Sequence, residues 1–567
     1  MGANHQGKKR FFAISVLFFL WIFLIAFKLF NMQLLDYTTY VAKVKAQTNR
    51  VEELLSKRGT ITDRRGEILA ISLESKSAFI SNKDGALSLD VFKRFCALLP
   101  LSRAQKIAIV RRIRRGEKFI WLKRKLTDEE FLKVRALALS AEAAGTIDFL
   151  DEYRRVYPQK RIASHILGGV GIDEQALGGI ETSLDSEIKG RGGRLKVMID
   201  ARKKIFQFKY LEQPVTGRDI HLSIDASLQF FVERELAAAV EKSQAAGGAV
   251  IIMDSRSGQV LAMASNPDYP PDAIWNTPLP ALKNRAISFL FDPGSTFKIV
   301  LAASALQNRV FGLHETFDCH NGVFTIRDRQ ITDVHPYERL GFDDVIIQSS
   351  NIGAAQIGMR LGGERFFQTI GRFGFGRRTG IRLPAEESGI LNPPQKWSGV
   401  SLAFLSFGYE IAVTPLQMAA AFNVPASGGF LVQPQILRDG AADAAPAPPP
   451  ERVVSADCLR RLVEIMTAVV TRGTGKKAAI SGLEIAGKTG TAHKIKTGRY
   501  EQSYVSSFGG FFPAHDPRVT MFVMIDEPKG PHFGGDVAAP LFKAIAEKII
   551  LALRILPELP AQNEIVL

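Results

Sequence analysis

The ten residues FDPGSTFKIV, from Phe291 to Val300, contain the pattern on which the interpretation of this chain depends. A Pro-Gly pair ends one segment, Ser295 follows at once, and an apolar stretch of helical character begins after it. Residues three apart lie on the same face of a helix, so the amine of Lys298 can approach the hydroxyl of Ser295. The stretch therefore predicts either a helix cap or a serine nucleophile with a lysine base.

The second interpretation places a condition on Lys298. A lysine amine has an ordinary pKa of about 10.4, so it is protonated in neutral water and cannot accept the serine proton. Burial and nearby positive charge both lower a lysine pKa, and the positive end of a helix acts in the same direction. Because Ser-x-x-Lys also occurs by chance in long chains, the pair alone does not establish catalysis.

Two further motifs carry complementary chemistry, and the first of them is Ser349-Ser350-Asn351 within IIQSSNIGAAQIG. The hydroxyl of Ser349 can relay a proton between Lys298 and a departing amine. The amide of Asn351 can hold both the lysine and a substrate carbonyl, because it donates and accepts hydrogen bonds. The alternative is that this serine element only caps the apolar helix predicted after it.

The other motif, Lys488-Thr489-Gly490-Thr491, lies within LEIAGKTGTAHKI, which is predicted to be a strand. Gly490 lets a substrate backbone lie close to that strand. Lys488 adds positive charge, and the two threonine hydroxyls suit a carboxylate. The backbone N–H groups of Ser295 and Thr491 are predicted to form an oxyanion hole.

The N-terminus contains a stretch typical of a membrane span. The basic residues Lys8 to Arg10 precede the uncharged residues 11–27, which are rich in Phe, Leu and Ile, and the span extends further if Lys28 snorkels. No small-residue cleavage site ends the stretch, which favours a retained anchor over a cleaved signal peptide. We predict a cytoplasmic tail at 1–10, a transmembrane anchor at 11–30, and the rest of the chain outside the cytoplasm.

The remaining sequence predicts two α+β domains. Residues 31–215 alternate helical and strand-like stretches, begin with a helix that runs to about residue 55, and are predicted to be non-catalytic. In residues 216–555 strands come first, helices fill the middle and strands return, which predicts an antiparallel sheet with a helical block. A C-terminal tail at 556–567 completes the chain. A second Lys-Thr-Gly, at 496–498, has polar surroundings and is interpreted as a hairpin turn.

Composition limits the classes of partner. With 567 residues, 46% of them hydrophobic, the chain predicts two or three folded domains. An excess of 73 basic over 57 acidic residues gives a net charge of +16, which suits an anionic lipid, an anionic polymer or nucleic acid. Zinc-finger and RNA-binding signatures are missing, so no nucleic-acid partner is expected. The scattered Cys96, Cys319 and Cys458 predict neither disulfides nor a metal site, and no cofactor is expected.

Taken in this order, the three motifs resemble those of penicillin-binding proteins and class A β-lactamases. The similarity to class B penicillin-binding proteins extends over roughly residues 10 to 555, and within that class the chain looks most like the division-specific enzyme of septal peptidoglycan synthesis. The similarity to class B penicillin-binding proteins is also seen in the stretches RGTITDRRGEILA, YPQKRIASHILGGVG, LGGIETSLD, IDASLQ, NRAISFLFDPGSTFK, SFGYEIAVTPLQMAAAF and FGGDVAAPLF. Nothing before the catalytic domain resembles a glycosyltransferase, which argues against a bifunctional class A enzyme.

The resemblance implies a peptidoglycan D,D-transpeptidase. Ser295 would attack the D-Ala-D-Ala carbonyl of a stem peptide, expel D-alanine and transfer the acyl group to an amine of a neighbouring stem. Lys298 would be the base, Ser349 and Asn351 would assist, and Lys488 would help hold the terminal carboxylate. β-Lactams would acylate the same serine. The substrate-binding residues implied by the resemblance are Thr489, Gly490, Thr491, Tyr504 and Phe533, the last two with ordinary packing as an equal alternative.

The resemblance also implies a cellular location. The protein would be a single-pass protein of the cytoplasmic (inner) membrane, with its N-terminus inside and its catalytic domain in the periplasm. Its implied partners are a polytopic glycosyltransferase and other division proteins. Three alternatives stay open. One is an elongation-type transpeptidase, and another is a hydrolytic D,D-carboxypeptidase or β-lactamase, although no general base for hydrolysis can be assigned. The third is a penicillin-binding sensor or scaffold without essential catalysis.

Overall fold

The computed structural model of the protein describes most of the chain. The described residues are 3–81, 89–117, 119–140, 146–199, 205–312, 315–438, 450–496 and 499–555. The predicted C-terminal tail, 556–567, lies outside them. Residues 497 and 498 of the second Lys-Thr-Gly also lie outside the described residues. The described chain divides into two compact units, which are taken in turn.

The first unit comprises Met1–Arg58 and Lys189–Gly217. Its anchor helix, Ala3–Phe30, exposes its large apolar side chains, and residues Lys8–Leu35 are apolar and long enough to cross a membrane. A π-helical turn, Asn31–Leu35, continues it. The predicted transmembrane segment is therefore a single helix in the structure.

The sequence-based prediction of one helix from residue 31 to about 55 is wrong only in its last residues, from Asn49 onwards. The helix Tyr37–Thr48 ends, and Asn49–Leu54 form a strand. This strand pairs antiparallel with Gly193–Ile199, whose other neighbour is Ile205–Glu212. Its backbone N–H and C=O groups are satisfied by a segment far away in the sequence, which helical periodicity in residues 31–55 cannot reveal.

The second unit comprises Gly59–Ile188 and Arg218–Leu567. Its first part contains a five-stranded sheet, and three helices pack with that sheet around the buried Phe95 and Val134. The strands are Ile61–Thr62, Ile68–Ser81, Phe119–Lys123, Ile147–Val156 and Ile220–His221, and the helices are Leu89–Leu98, Arg103–Arg114 and Asp128–Ala138. Shorter elements follow at Ser164–Leu167, Gly169–Val170, Ala176–Gly178, Gly179–Ser183 and Asp185–Ile188.

The turn from Asp63 to Gly66 connects this sheet to the predicted catalytic part, which begins with the helix at Ala226. The Asp63 carboxylate accepts hydrogen bonds from the backbone N–H groups of Arg65 and Glu67, and also from Ala226 at 3.0 Å. Asp225 caps the helix that begins at Ala226 and pairs with Arg65 at 2.7 Å. The turn therefore holds the first helix of the catalytic part at its N-terminus.

The catalytic part is built on a five-stranded antiparallel sheet. In spatial order its strands are Val260–Asn266, Gly247–Asp254, Val519–Asp526, Arg499–Phe512 and Ala486–Lys496. Alternate residues of the fully buried central strand face two different cores, with Met521 and Val523 on one side and Phe522 and Met524 on the other. Both sheet faces are thus covered, and the predicted antiparallel sheet is confirmed.

Helices cover the two faces unequally. Ala226–Lys242 and Gly534–Leu553 pack on one face, and the predicted helical block packs on the other through Pro415–Ala426. The other helices of the block are Leu279–Leu282, Arg285–Ser288, Lys298–Asn308, Phe342–Ile347, Asn351–Leu361, Gly363–Arg372, Ser401–Leu405 and Ala456–Thr471. Its short strand pairs are Thr316–Asp318 with Arg339–Gly341, Val323–Ile326 with Arg329–Thr332, Ile390–Leu391 with Ile411–Ala412, and Phe430–Leu431 with Glu451–Arg452.

Candidate active site

Ser295 lies in a tight turn whose conformation requires a glycine at position 294. The turn, Gly294–Phe297, is a 3-10 helix that leads directly into the helix Lys298–Asn308. Gly294 has a φ of +54° and donates its N–H to the carbonyl of Gly408 at 3.0 Å. A Cβ atom on Gly294 would lie 2.9 Å from the carbonyl oxygen of Thr491. Glycine is therefore required here, and the strand that contains Thr491 packs directly against the serine turn.

Lys298 is completely buried, and its amine is held by the second motif. The Nζ atom donates to the carbonyl of Ser349 at 2.6 Å and to Oδ1 of Asn351 at 2.9 Å, and it lies 3.3 Å from the Ser349 hydroxyl. Burial lowers the pKa of Lys298 to about 7, although the negative charge of Asp333 acts in the opposite direction. A large fraction of the amine is therefore neutral near pH 7, as a base requires.

The hydroxyl of Ser349 lies between two lysine amines. Besides its contact with Lys298, it accepts a hydrogen bond from Nζ of Lys488 at 2.9 Å. Lys488 is also completely buried, and burial together with the charge of Lys298 holds the pKa of Lys488 well below its ordinary value. Ser349 has a φ of +66°, a conformation that a serine adopts only when its surroundings impose it. The serine is thus positioned to pass a proton between the two sides of the site.

Asp333 completes the second motif, and sequence reasoning missed it. Its carboxylate accepts hydrogen bonds from the Ser350 hydroxyl and from the backbone N–H groups of Asn351 and Ile352. It therefore neutralises the N-terminus of the helix Asn351–Leu361 and orients Asn351, whose Nδ2 donates to the carbonyl of Thr332 at 2.9 Å. No motif marks Asp333 in the sequence, because only the folding of its hairpin brings it to this helix.

The Lys-Thr-Gly motif lies on the edge strand Ala486–Lys496, which has a partner strand on one side only. A Cβ atom on Gly490 would lie 2.8 Å from Cγ2 of Thr296 and 3.0 Å from the carbonyl oxygen of Pro293. In the structure, then, this glycine packs both against the serine turn and against Ser507, whose hydroxyl oxygen would lie 2.6 Å from such a Cβ atom. An edge strand this close to Ser295 leaves backbone groups with which an extended peptide can pair.

The two threonines of this motif are held by protein groups. The hydroxyl of Thr489 lies 2.7 Å from that of Thr474, and the hydroxyl of Thr491 accepts the backbone N–H of Gly534 at 2.9 Å. Thr474 is a second residue that the sequence did not indicate. The strand carrying both threonines is therefore held from several sides before any substrate binds.

The second Lys-Thr-Gly is at the end of the same strand, where Lys496 pairs with Arg499 across the hairpin. This position agrees with its interpretation as a turn, although residues 497 and 498 themselves lie outside the described part of the chain.

The two aromatic residues named from the resemblance belong to one cluster. Tyr504 stacks on His532 with 3.9 Å between the ring centroids, and it also packs against His493 at 4.7 Å. Phe533 lies 4.7 Å from His532 and is 42% exposed. Phe533 directly precedes Gly534, whose N–H holds Thr491, so the cluster lies next to the edge strand. A role of Tyr504 and Phe533 in substrate binding stays a prediction.

A cavity of about 330 Å³ opens beside Asn351. It also touches Tyr409, whose hydroxyl accepts the backbone N–H of His493 at 3.3 Å and whose pKa is raised by burial. The other lining residues are Gln330, Ile331, Thr332, Phe404, Phe407, His493, Glu501 and Gln502. The sequence motifs indicate none of these except Asn351, because they come from three separate segments. The cavity is large enough for part of a peptide next to the reactive groups.

The Lys298 environment leads to a pH prediction. The rate of Ser295 acylation by a β-lactam should rise about tenfold per pH unit below pH 7 and level off above it, because only the neutral amine accepts a proton. Asp333→Asn removes the charge that favours the protonated amine, so the midpoint should move to lower pH. Stopped-flow acylation across pH 5 to 9 measures both midpoints.

The control for this prediction is Asp328→Asn, which removes an 82% exposed carboxylate from the same hairpin. Its midpoint should equal that of the unmodified protein, since solvent screens the lost charge. A midpoint that stays in place for Asp333→Asn, or moves equally in both variants, contradicts the assignment.

Comparison with known protein families gives two matches. Residues 248–547 match the penicillin binding protein transpeptidase domain, and residues 53–222 match the penicillin-binding protein dimerisation domain. Peptidoglycan D,D-transpeptidase FtsI of Escherichia coli strain K12 is 33% identical over 517 residues, which cover 90% of this chain and 86% of that protein. Stage V sporulation protein D of Bacillus subtilis is 32% identical over 529 residues, with 90% and 80% covered.

Solved structures agree with this result. Penicillin binding protein 3 of Mycobacterium tuberculosis, in complex with aztreonam, is similar with a TM-score of 0.67 and 26% identity, and the match covers 90% of this chain and 98% of that one. The penicillin-binding protein PBP2 of Helicobacter pylori, solved with MreC, has a TM-score of 0.73, 21% identity and coverage of 90% and 100%. The second comparison concerns the fold alone.

Proposed function

The chain belongs to the penicillin-binding protein transpeptidase family, and from this membership we propose how its residues carry out acyl transfer. It is a serine-type peptidoglycan D,D-transpeptidase. One observation carries the assignment of roles: Lys298 and Lys488, both completely buried, meet at the hydroxyl of Ser349 beside the turn that presents Ser295. Two buried amines this close favour a neutral form of at least one, which supplies the base.

The first half-reaction forms an acyl-enzyme. Neutral Lys298 accepts the proton of the Ser295 hydroxyl while Oγ attacks the carbonyl carbon of the penultimate D-alanine. The negative charge on the carbonyl oxygen is stabilised by the backbone N–H groups of Ser295 and Thr491. The proton then passes from Lys298 through the Ser349 hydroxyl to the amine of the terminal D-alanine, which departs as the C–N bond breaks.

The second half-reaction reverses these proton movements. An amine from a neighbouring stem attacks the ester carbonyl and loses a proton towards Lys298, the C–O bond to Ser295 breaks, and the serine recovers its proton. A β-lactam enters the first half-reaction in the same way. Its amide bond breaks inside a ring, so the leaving amine stays attached and blocks the acceptor.

Substrate binding uses the edge strand. An extended D-Ala-D-Ala peptide pairs with the backbone of Ala486–Lys496, and its terminal carboxylate lies near Lys488, Thr489 and Thr491. The lysine supplies positive charge, and the threonine hydroxyls supply hydrogen-bond donors. Tyr504 and Phe533 cover the bound ligand from the aromatic cluster.

The cell-biological setting follows from the relatives and the N-terminus. We propose that the protein acts in septal wall synthesis, which its similarity to FtsI supports. We also propose that it works with a polytopic glycosyltransferase that supplies the glycan strand. A single N-terminal helix anchors it in the cytoplasmic membrane. The basic residues 8–10 keep the N-terminus inside, so the catalytic part faces the periplasm. Depletion should produce filaments, whereas round cells would indicate an elongation-type enzyme.

A labelling experiment tests the proposed function. The full chain in detergent is incubated with fluorescent penicillin, digested and mapped by mass spectrometry, and separately supplied with glycan strands that bear pentapeptide stems. We expect one adduct, on Ser295, that persists for many minutes, together with cross-linked stem dimers and released D-alanine. Rapid loss of the adduct would identify a β-lactamase, and tetrapeptides without dimers would identify a carboxypeptidase. An adduct without any stem chemistry would identify a sensor.

A further inference from the structure

One helix outside the catalytic part is strongly basic. The helix Arg103–Arg114 and the residue after it contain six basic residues and no acidic one. Four of them recur at intervals that bring them within an arc of about 120° around the helix axis, and we name this side the basic face. The basic face consists of Arg103, Arg111, Arg114 and Arg115, whereas Lys106 lies between Val110 and Ile113 on the side that faces the core.

The residues of the basic face have no anionic partner within the described part of the chain. The sixth basic residue, Arg112, pairs with Glu117 at 2.6 Å and lies on a different side of the helix. Other lysines and arginines of this domain are similarly occupied, for example Lys123 with Glu130 at 2.5 Å. The four side chains of the basic face are thus available to an external anion.

The apolar side of this helix is already used. Ile109 is buried, and Val110 and Ile113 pack against the core around Phe95. What remains outside is charge, together with the exposed Ile107 and the small side chains of Ala104 and Ala108. A helix that inserts into a membrane needs an unused apolar side, so this surface suits a charged polymer in water better than a lipid bilayer.

Helix stability does not account for the basic face. Positive charge stabilises the C-terminal turn of a helix and destabilises the N-terminal turn. Arg114 and Arg111 are in the favourable end, but Arg103 is the first residue of the helix. A capping box formed by Ser102 and Gln105 already stabilises this end. The basic residue there adds an electrostatic cost without a structural return.

We propose that the basic face binds the free carboxylates of uncross-linked peptidoglycan stem peptides, and so keeps the polymer near the enzyme between cross-linking events. The inference rests on the proposed function, because that function makes a polymer with repeated carboxylates the substrate of this chain. Arg103 and Arg114 are eleven residues apart, which corresponds to about 16 Å along the helix. Several stems of one strand can therefore be held together, and multivalent binding makes weak single contacts effective.

The experiment uses the full chain in neutral detergent with Ser295 acylated by penicillin, so that the catalytic cleft does not contribute. Binding to purified sacculi is measured by co-sedimentation at about 50 mM and about 300 mM salt. The test variant replaces the four residues of the basic face, Arg103, Arg111, Arg114 and Arg115, with glutamine, which preserves helix propensity. We expect an increase of about tenfold or more in Kd at low salt, and a smaller difference at high salt.

A control variant loses the same charge elsewhere. It replaces four exposed basic residues of the catalytic part with glutamine, namely Arg377, Arg378, Lys396 and Arg460. Its Kd should stay within about twofold of the unmodified protein. Sacculi whose carboxylates have been amidated should bind the unmodified protein as weakly as normal sacculi bind the test variant.

The possible results distinguish a failure of the inference from a failure of the proposed function. Penicillin labelling of the test variant shows that the active site is intact, and failure of labelling in every sample would count against the function instead. Equal binding by the test and control variants overturns the inference, and so does undiminished binding to amidated sacculi. In a final arm, phosphatidylglycerol is added to the micelles until its negative charge equals that of the sacculi carboxylates. If this lipid displaces the protein from the sacculi, the basic face binds lipid and the inference is wrong.

Discussion

Ser295→Ala should abolish both the penicillin adduct and the formation of cross-linked stems, with a loss of at least about 10⁴-fold in the acylation rate constant. The serine oxygen forms the covalent bond, and an alanine methyl group has no lone pair to replace it. The turn Gly294–Phe297 should keep its shape, because its conformation depends on Gly294 and on the packing of buried Phe297. Stopped-flow acylation, gel fluorescence and a cross-linking assay measure the loss.

The matched control is Ser257→Ala, in the hairpin turn before the opposite edge strand of the same sheet. The Ser257 hydroxyl donates to Asp254 at 2.7 Å, so its removal disturbs one exposed turn only. Acylation should be unchanged in this variant. A residual adduct in Ser295→Ala that maps to another serine would refute the assignment of the nucleophile.

Lys298→Arg should reduce the acylation rate by about 10² to 10⁴-fold, the range typical of a lost general base. The guanidinium retains the positive charge and can still donate hydrogen bonds, but its pKa above about 12 prevents it from accepting a proton at neutral pH. The loss should persist up to pH 9, where the unmodified enzyme has reached its plateau. This insensitivity to pH separates a missing base from a merely misplaced one.

A larger side chain in a buried site could also disturb folding, so Lys298→Met is measured in parallel. Methionine is neutral and of similar length, and it should show the same loss in acylation while thermal unfolding stays cooperative. Lys496→Arg, in the second Lys-Thr-Gly, is the control and should acylate normally. If either Lys298 variant retained more than about a tenth of the normal rate, another group would have to be the base.

The sequence predicted features that depend on neighbouring residues. The anchor follows from the long apolar stretch before Lys28. The spacing of Ser295 and Lys298 placed both on one helical side, which the 3-10 turn and following helix support. The three motifs also identified the segments that meet, because each carries chemistry that is rare in combination.

Tertiary structure alone decided what those segments do together. Lys298 and Lys488 acquire lowered pKa values because distant segments bury them, and Asp333 reaches the second motif only when its hairpin folds. The strand Asn49–Leu54, predicted to be a helix, was decided by pairing with Gly193–Ile199. The physical reason is the same in each case: periodicity and spacing encode local geometry, whereas desolvation and strand pairing depend on which distant residues become neighbours.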